Sequence, residues 1–176
     1  LVRLFKQANS EVRVAMTNSA QEFITPLTLQ ALSGNHVFTN LVDVEAEAAM
    51  GHIELARWAD LILIAPTTAD FMTRIVQGKA NDIVSALILA SHSPIAIAPA
   101  MNQAMWANDV TQKNLDVLKQ RGIAIFGPAE GEQACGEIGP GRMLEPMELI
   151  ERCSSLFQKG LLAGKNLIIT GGPTRE

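Results

Sequence analysis

Asn102 is the first residue whose type and setting suggest chemistry. It lies in Ala-Pro-Ala-Met-Asn-Gln-Ala-Met-Trp at 98–106, at the end of an apolar run. A neutral amide at a strand end can donate to a carboxylate while its carbonyl accepts a second bond. The flanking methionines and Trp106 could wall an apolar pocket. The competing reading is a helix cap by Asn102 over core methionines, and residue types alone leave both open. A second segment, Ala-Pro-Thr-Thr-Ala-Asp at 65–70, leaves another apolar run and enters a helical stretch. Small hydroxyl residues there can offer donors to an anion or a ring edge at a helix start, or simply cap the helix. His52, in Met-Gly-His-Ile-Glu at 50–54, is either a base near neutral pH or a structural histidine. The fourth segment, 131–143, is dense in glycine and contains Cys135. A loop of that kind is mobile or closes over something, and its thiol could supply a proton or a nucleophile. The plainer reading is an irregular surface loop with an incidental cysteine. Cys153 instead falls on the apolar face of a helix and is expected in the core. His36 and His92 sit in turn-like contexts, and three scattered histidines do not make a metal site.

These segments need elements to position them. Residues 1–8 read as the tail of an amphipathic helix, with Leu1, Leu4, Phe5 and Ala8 on one face. Residues 12–16 read as a strand ending in a turn and cap at Thr17, Asn18 and Ser19. Pro26 opens a short helix that Gly34 stops. Further helices are expected over 46–58, 68–76, 82–90, 110–121 and 147–157, and strands over 61–65, 95–98, 123–126 and 167–170. The runs at 61–65 and 95–98 are continuously apolar, as in strands buried on both faces of a parallel sheet. Residues 127–142 read as loop. Strands alternating with helices, without a hairpin signal, predict an α/β fold: a doubly wound parallel sheet in three layers. Ligands of such sheets sit at the carboxyl ends of the strands, where all but one of the segments above would lie.

Composition narrows the function classes. The sequence has 176 residues, 48% hydrophobic and 18% charged, a globular profile of single-domain size. The formal net charge is −4 and no Lys/Arg cluster appears, which argues against a nucleic-acid surface. The apolar runs are far too short to span a bilayer, and no secretory signal pattern is present. Two cysteines suggest no disulfide framework, so a reducing cytoplasm is the expected setting. Because the sequence opens at Leu1, inside an apparent helix, further sequence is expected upstream.

Taken together, the segments resemble a family. The run at 98–106 is similar to the PxMNxxMW signature of the homo-oligomeric flavin-containing cysteine decarboxylases. Ala-Cys-Gly-Glu-Ile-Gly-Pro-Gly-Arg-Met at 134–143 resembles their substrate clamp. Gly-His-Ile-Glu-Leu at 51–55, the 65–70 segment and Ala-Asn-Asp at 80–82 fall in the family's order. The resemblance covers residues 1–160 as a decarboxylase domain. Residues 161–176 resemble a linker and the first strand of the ligase half that bifunctional members carry. It implies a Rossmann-like or flavodoxin-like fold whose first strand and flavin-phosphate turn lie upstream of Leu1, so that this stretch alone would hold FMN weakly.

The implied reaction is FMN-dependent decarboxylation of 4'-phosphopantothenoylcysteine to 4'-phosphopantetheine, a step of coenzyme A biosynthesis. A cysteinyl carboxylate has no electron sink; oxidation of its thiol to a thioaldehyde creates one. By resemblance His52 is the base of the oxidative half, Asn102 holds the substrate carboxylate, and Cys135 donates the proton of the reductive half. Thr17, Asn18, Ser19, Thr68, Ala69, Asp70, Phe71 and Ala100 match flavin-contacting positions. Met101 and Ala134 match substrate-contacting ones, and Asn81 and Asp82 support the site. The family further implies a homo-oligomer built of trimers, with CTP and Mg2+ needed only by a ligase domain. The alternatives are a peptidyl-cysteine decarboxylase and a non-catalytic regulatory subunit.

Overall fold

The computed structural model describes residues 1–41, 51–133 and 136–157. In chain order the elements are α1 (Val2–Gln7), β1 (Val14–Ala15), α2 (Asn18–Gln21), α3 (Pro26–Ser33), β2 (Val37–Phe38), α4 (Gly51–Trp58), β3 (Ile62–Thr67), α5 (Ala69–Gln77), α6 (Ile83–Ala90), β4 (Ile95–Pro99), α7 (Gln103–Ala107), α8 (Asp109–Gln120), β5 (Ala124–Ile125), β6 (Ala129–Glu132), β7 (Ile138–Arg142) and α9 (Pro146–Phe157).

β3, β4 and β5 form a parallel sheet in that order, with Ile62 opposite Ile95, Ile64 opposite Ile97, and Ile97 opposite Ile125. β1 and β2 pair in parallel beside them in the chain. Side chains alternate across a strand, and here both faces are apolar. Ile62, Ile64 and Ile97 turn to one side, where they meet Leu55 of α4, Phe71, Met72 and Ile75 of α5, α6, and Leu115 and Leu118 of α8. Leu61, Leu63, Ala65, Ala96 and Ala98 turn to the other. There they meet Phe126, Leu144, Leu149 and Cys153, with Leu1 and Phe5 of the first helix. Each large side chain so buried contributes about 1.5–3 kcal/mol before the cost of ordering the chain. The result is the expected three-layer, doubly wound α/β fold. Burial pushes the Cys153 thiol up to about 11, so it stays protonated at neutral pH and remains a core residue.

Helix ends follow residue chemistry. Thr25 caps α3, Pro26 opens it, and Gly34 closes it at a φ of 78° that favours glycine. Thr68 caps α5, and Asp82 and Ser85 form a reciprocal capping box at α6. The expected helix at 46–58 is described from Gly51 onward; its first part and the expected strand at 167–170 lie outside the described residues. Three elements depart from the sequence reading. β2, at two residues, is too short to show alternation. α7 is a single short turn after a strand. Most important, much of the stretch expected to be loop at 127–142 is the antiparallel hairpin of β6 and β7, with Glu132 opposite Ile138 and Gly131 opposite Gly139. Among the described residues no helix is long and apolar enough to cross a membrane.

Candidate active site at the carboxyl edge of the sheet

Parallel strands deliver their carboxyl ends to one edge, and β3 and β4 bring the 65–70 and 98–106 segments there side by side. Ala100 N donates to Thr67 O at 3.0 Å, which stitches the two strand exits together. Thr67 is fully buried and its hydroxyl donates to Ile64 O at 2.8 Å, so it shapes the turn. Thr68 is exposed, and its Oγ1 accepts from Phe71 N at 3.2 Å. Phe71 itself points into the core, so only its backbone faces the edge. Asp70 is held by Arg74, whose Nε lies 2.8 Å from Asp70 Oδ2 while its Nη1 lies 3.2 Å from Asp82 Oδ2. Asp82 is therefore a cap of α6 and, through Arg74, a brace for Asp70. Asn81 precedes it, exposed, in the connecting turn.

Asn102 combines a helix cap with a contact to a carboxylate of the chain itself. Its Oδ1 accepts from Ala104 N at 2.8 Å and caps α7. That bond fixes which end of the amide is oxygen and turns the Nδ2 donor away from the helix. Nδ2 donates to Glu137 Oε2 at 2.8 Å, a carboxylate from the far side of the hairpin turn. Met101 and Trp106 pack against the core, whereas Met105 is half exposed.

The hairpin lies directly on this turn. Met101 N donates to Gly141 O at 2.9 Å, Gln103 N to Gln133 Oε1 at 3.0 Å, and Gln103 Nε2 to Glu137 Oε2 at 3.3 Å. Two of its glycines, Gly139 and Gly141, are explained by this approach. A Cβ on Gly141 would overlap the Met101 carbonyl oxygen and stand 2.6 Å from Gln133 Nε2; one on Gly139 would meet chiefly the flexible end of Gln103. Gly141→Ala is accordingly expected to cost about 1–3 kcal/mol, because backbone must move, and Gly139→Ala less, because a side chain can yield. Thermal melts of the two variants check this order; equal melting temperatures would contradict it. Of the two expectations for this segment, a mobile loop or one that closes over something, the described residues show a hairpin packed closely on the 101–103 turn.

His52 stands on the first turn of α4, next to Gly51, which lies against the ring of Phe38 at the end of β2. Its Nδ1 is buried and has no hydrogen-bond partner among the described residues. A buried imidazole nitrogen seldom goes without one. Thr17, Asn18 and Ser19 follow β1: Thr17 Oγ1 accepts from Ala20 N at 3.2 Å to cap α2, and Asn18 and Ser19 are exposed. Thr17 and Asn18 make local hydrogen bonds, to Ala20 and Gln21, which do not join them to the Asn102 cluster. Ala134 and Cys135 lie outside the described residues. Gln103, Gln133, Glu137 and Arg74 belong to the site but went unassigned in the sequence reading. The available signal was that Gln133 and Glu137 bracket Cys135 in the glycine-rich segment.

Residues 1–158 match the family model described as Flavoprotein. The chain belongs to the flavoprotein family. It is 56% identical over 176 residues to the coenzyme A biosynthesis bifunctional protein CoaBC of Vibrio vulnificus (strain YJ016), covering 100% of this chain and 44% of that protein. The chain thus spans less than half the length of this curated relative. It is also similar to the structure of a PPC decarboxylase mutant complexed with pantothenoylaminoethenethiol, at 31% identity and a TM-score of 0.72, covering 89% of this chain and 92% of that one. The FMN binding protein AtHal3 is similar at 32% identity and a TM-score of 0.72, with 89% and 86% covered.

A flavoprotein must offer its ring edge both donors and acceptors, and the start of α5 has them. The first N–H groups of a helix have no intrahelical acceptor. Thr68 takes the one from Phe71, which leaves those of Ala69 and Asp70 for ring carbonyls. The braced Asp70 carboxylate can accept from a ring N–H. An acidic residue at this helix start suits a ring edge better than a phosphate.

Proposed function

We propose that this chain is the decarboxylase portion of a coenzyme A biosynthesis protein, releasing carbon dioxide from 4'-phosphopantothenoylcysteine to leave 4'-phosphopantetheine. The observation that carries the reading is the Asn102 amide, oriented by its own cap and already donating to a carboxylate at the ligand edge of the sheet. FMN is the cofactor; Thr68, Ala69, Asp70, Phe71 and Ala100, with Thr17, Asn18 and Ser19 from the end of β1, would hold it. When bound, it supplies reversible hydride acceptance, which provides the electron sink that loss of carbon dioxide requires.

The protein's own residues do the rest. Asn102 holds the substrate carboxylate by Nδ2 and thereby orients the bond to be broken, and Met101 and Ala134 are further substrate-binding residues. His52 takes up the proton released in the oxidative half at Nδ1, which has no hydrogen-bond partner among the described residues. Cys135 returns a proton in the reductive half; in the sequence it lies between Gln133 and Glu137, both of which bond to the Asn102–Gln103 turn. The working form is a cytoplasmic homo-oligomer, a trimer or an assembly of trimers. Residues 161–176 begin a ligase domain that uses CTP and Mg2+.

The test is an oxygen-free assay of the full-length FMN-loaded protein, following carbon dioxide. Release from 4'-phosphopantothenoylcysteine and none from a peptide ending in cysteine is expected. No release despite bound FMN would sink the proposal, and release from the peptide alone would move the substrate class.

A further inference from the structure

Glu137 occupies the place the proposed function reserves for substrate. Its Oε2 receives Asn102 Nδ2 at 2.8 Å and Gln103 Nε2 at 3.3 Å. The carboxylate reaches them from 35 residues along the chain. The hairpin holds it in range: Gln133 N donates to Glu137 O at 2.8 Å, Gln103 N to Gln133 Oε1 at 3.0 Å, and Met101 N to Gly141 O at 2.9 Å. Turning over gives Asn102 no second donor end, because Oδ1 is committed to Ala104 N, and use of the other Nδ2 hydrogen would bring a second carboxylate against that of Glu137. Two carboxylates on one amide also repel each other strongly.

We infer that Glu137 is an internal stand-in for the substrate carboxylate, and that substrate binds by displacing it from Asn102. The inference rests on the assignment of Asn102 as the carboxylate-binding residue. Glu137 is exposed, so water can take up its carboxylate when it leaves Asn102. The exchange spares Asn102 from standing unpaired between turnovers. It also separates substrate from product. A ligand with a carboxylate must expel Glu137. A ligand that has lost its carboxylate leaves Asn102 to Glu137, which returns without obstruction. Glu137 therefore weakens substrate binding selectively and sets the balance between holding substrate and releasing product.

Affinity ratios test this in the full-length FMN-loaded protein. The probes are S-methyl-4'-phosphopantothenoylcysteine, whose blocked thiol prevents turnover, and 4'-phosphopantetheine, which lacks the carboxylate. Glu137→Ala is expected to bind the carboxylate probe about threefold to tenfold more tightly, the worth of one exposed charge-assisted hydrogen bond, and the other probe unchanged. Glu137→Gln keeps the shape without the charge and should fall between. If both probes weaken together, or their ratio does not move, while the unaltered protein still releases carbon dioxide, Glu137 only braces the hairpin and the inference is wrong. If the unaltered protein releases no carbon dioxide, the functional reading fails first and takes this one with it.

Discussion

Asn102→Asp is expected to lower kcat/KM for carbon dioxide release by about a hundredfold to a thousandfold. The change removes the Nδ2 donor and puts a negative charge where the substrate carboxylate should sit. A hydrogen bond to a charged group is worth about 1.5–3 kcal/mol, and like-charge repulsion adds to that loss. Each 1.36 kcal/mol is tenfold in rate. The variant is informative because Asp is as good a helix cap as Asn. Its carboxylate oxygen can still accept from Ala104 N, as Oδ1 of Asn102 does at 2.8 Å. Unchanged melting with lost activity would place the defect in carboxylate binding. Activity within threefold of the unaltered protein would remove Asn102 from that role.

His52→Gln should reduce kcat by about a hundredfold to ten-thousandfold, the usual span for loss of a positioned base, with little change in KM. Folding is expected to survive, since Nδ1 makes no hydrogen bond among the described residues that the substitution could break. The oxidative half can be watched by itself, as anaerobic bleaching of flavin absorbance on mixing with substrate. That rate should fall in step with kcat. A raised KM and lowered melting temperature with an intact bleaching rate would make His52 a structural residue.

The central strands were legible from composition. Residues 61–65 and 95–98 are apolar without interruption, and only a strand with two covered faces needs that. Both cores bear this out, since Ile97 faces one and Ala96 and Ala98 the other. The caps were equally local: Thr68, Asp82 and Gly34 act within four residues of their own positions. The hairpin was not legible. Its glycines remove the alternation by which strands are recognised, and what they respond to is Met101 and Gln103, far away in the chain.

Asn102 marks the boundary between the two kinds of information. Residue types and their spacing sufficed to single it out, to place it after a buried strand, and, through the surrounding motifs, to attach it to a reaction. They left the cap and the carboxylate donor as rivals. The folded chain makes them the same residue, because an amide has two ends: local geometry takes the oxygen for Ala104 N, and the nitrogen is left to meet Glu137. The first bond spans two residues and is written in the local sequence. The second spans 35, and no spacing rule reaches that far; it exists because the hairpin has glycines where backbone must touch backbone.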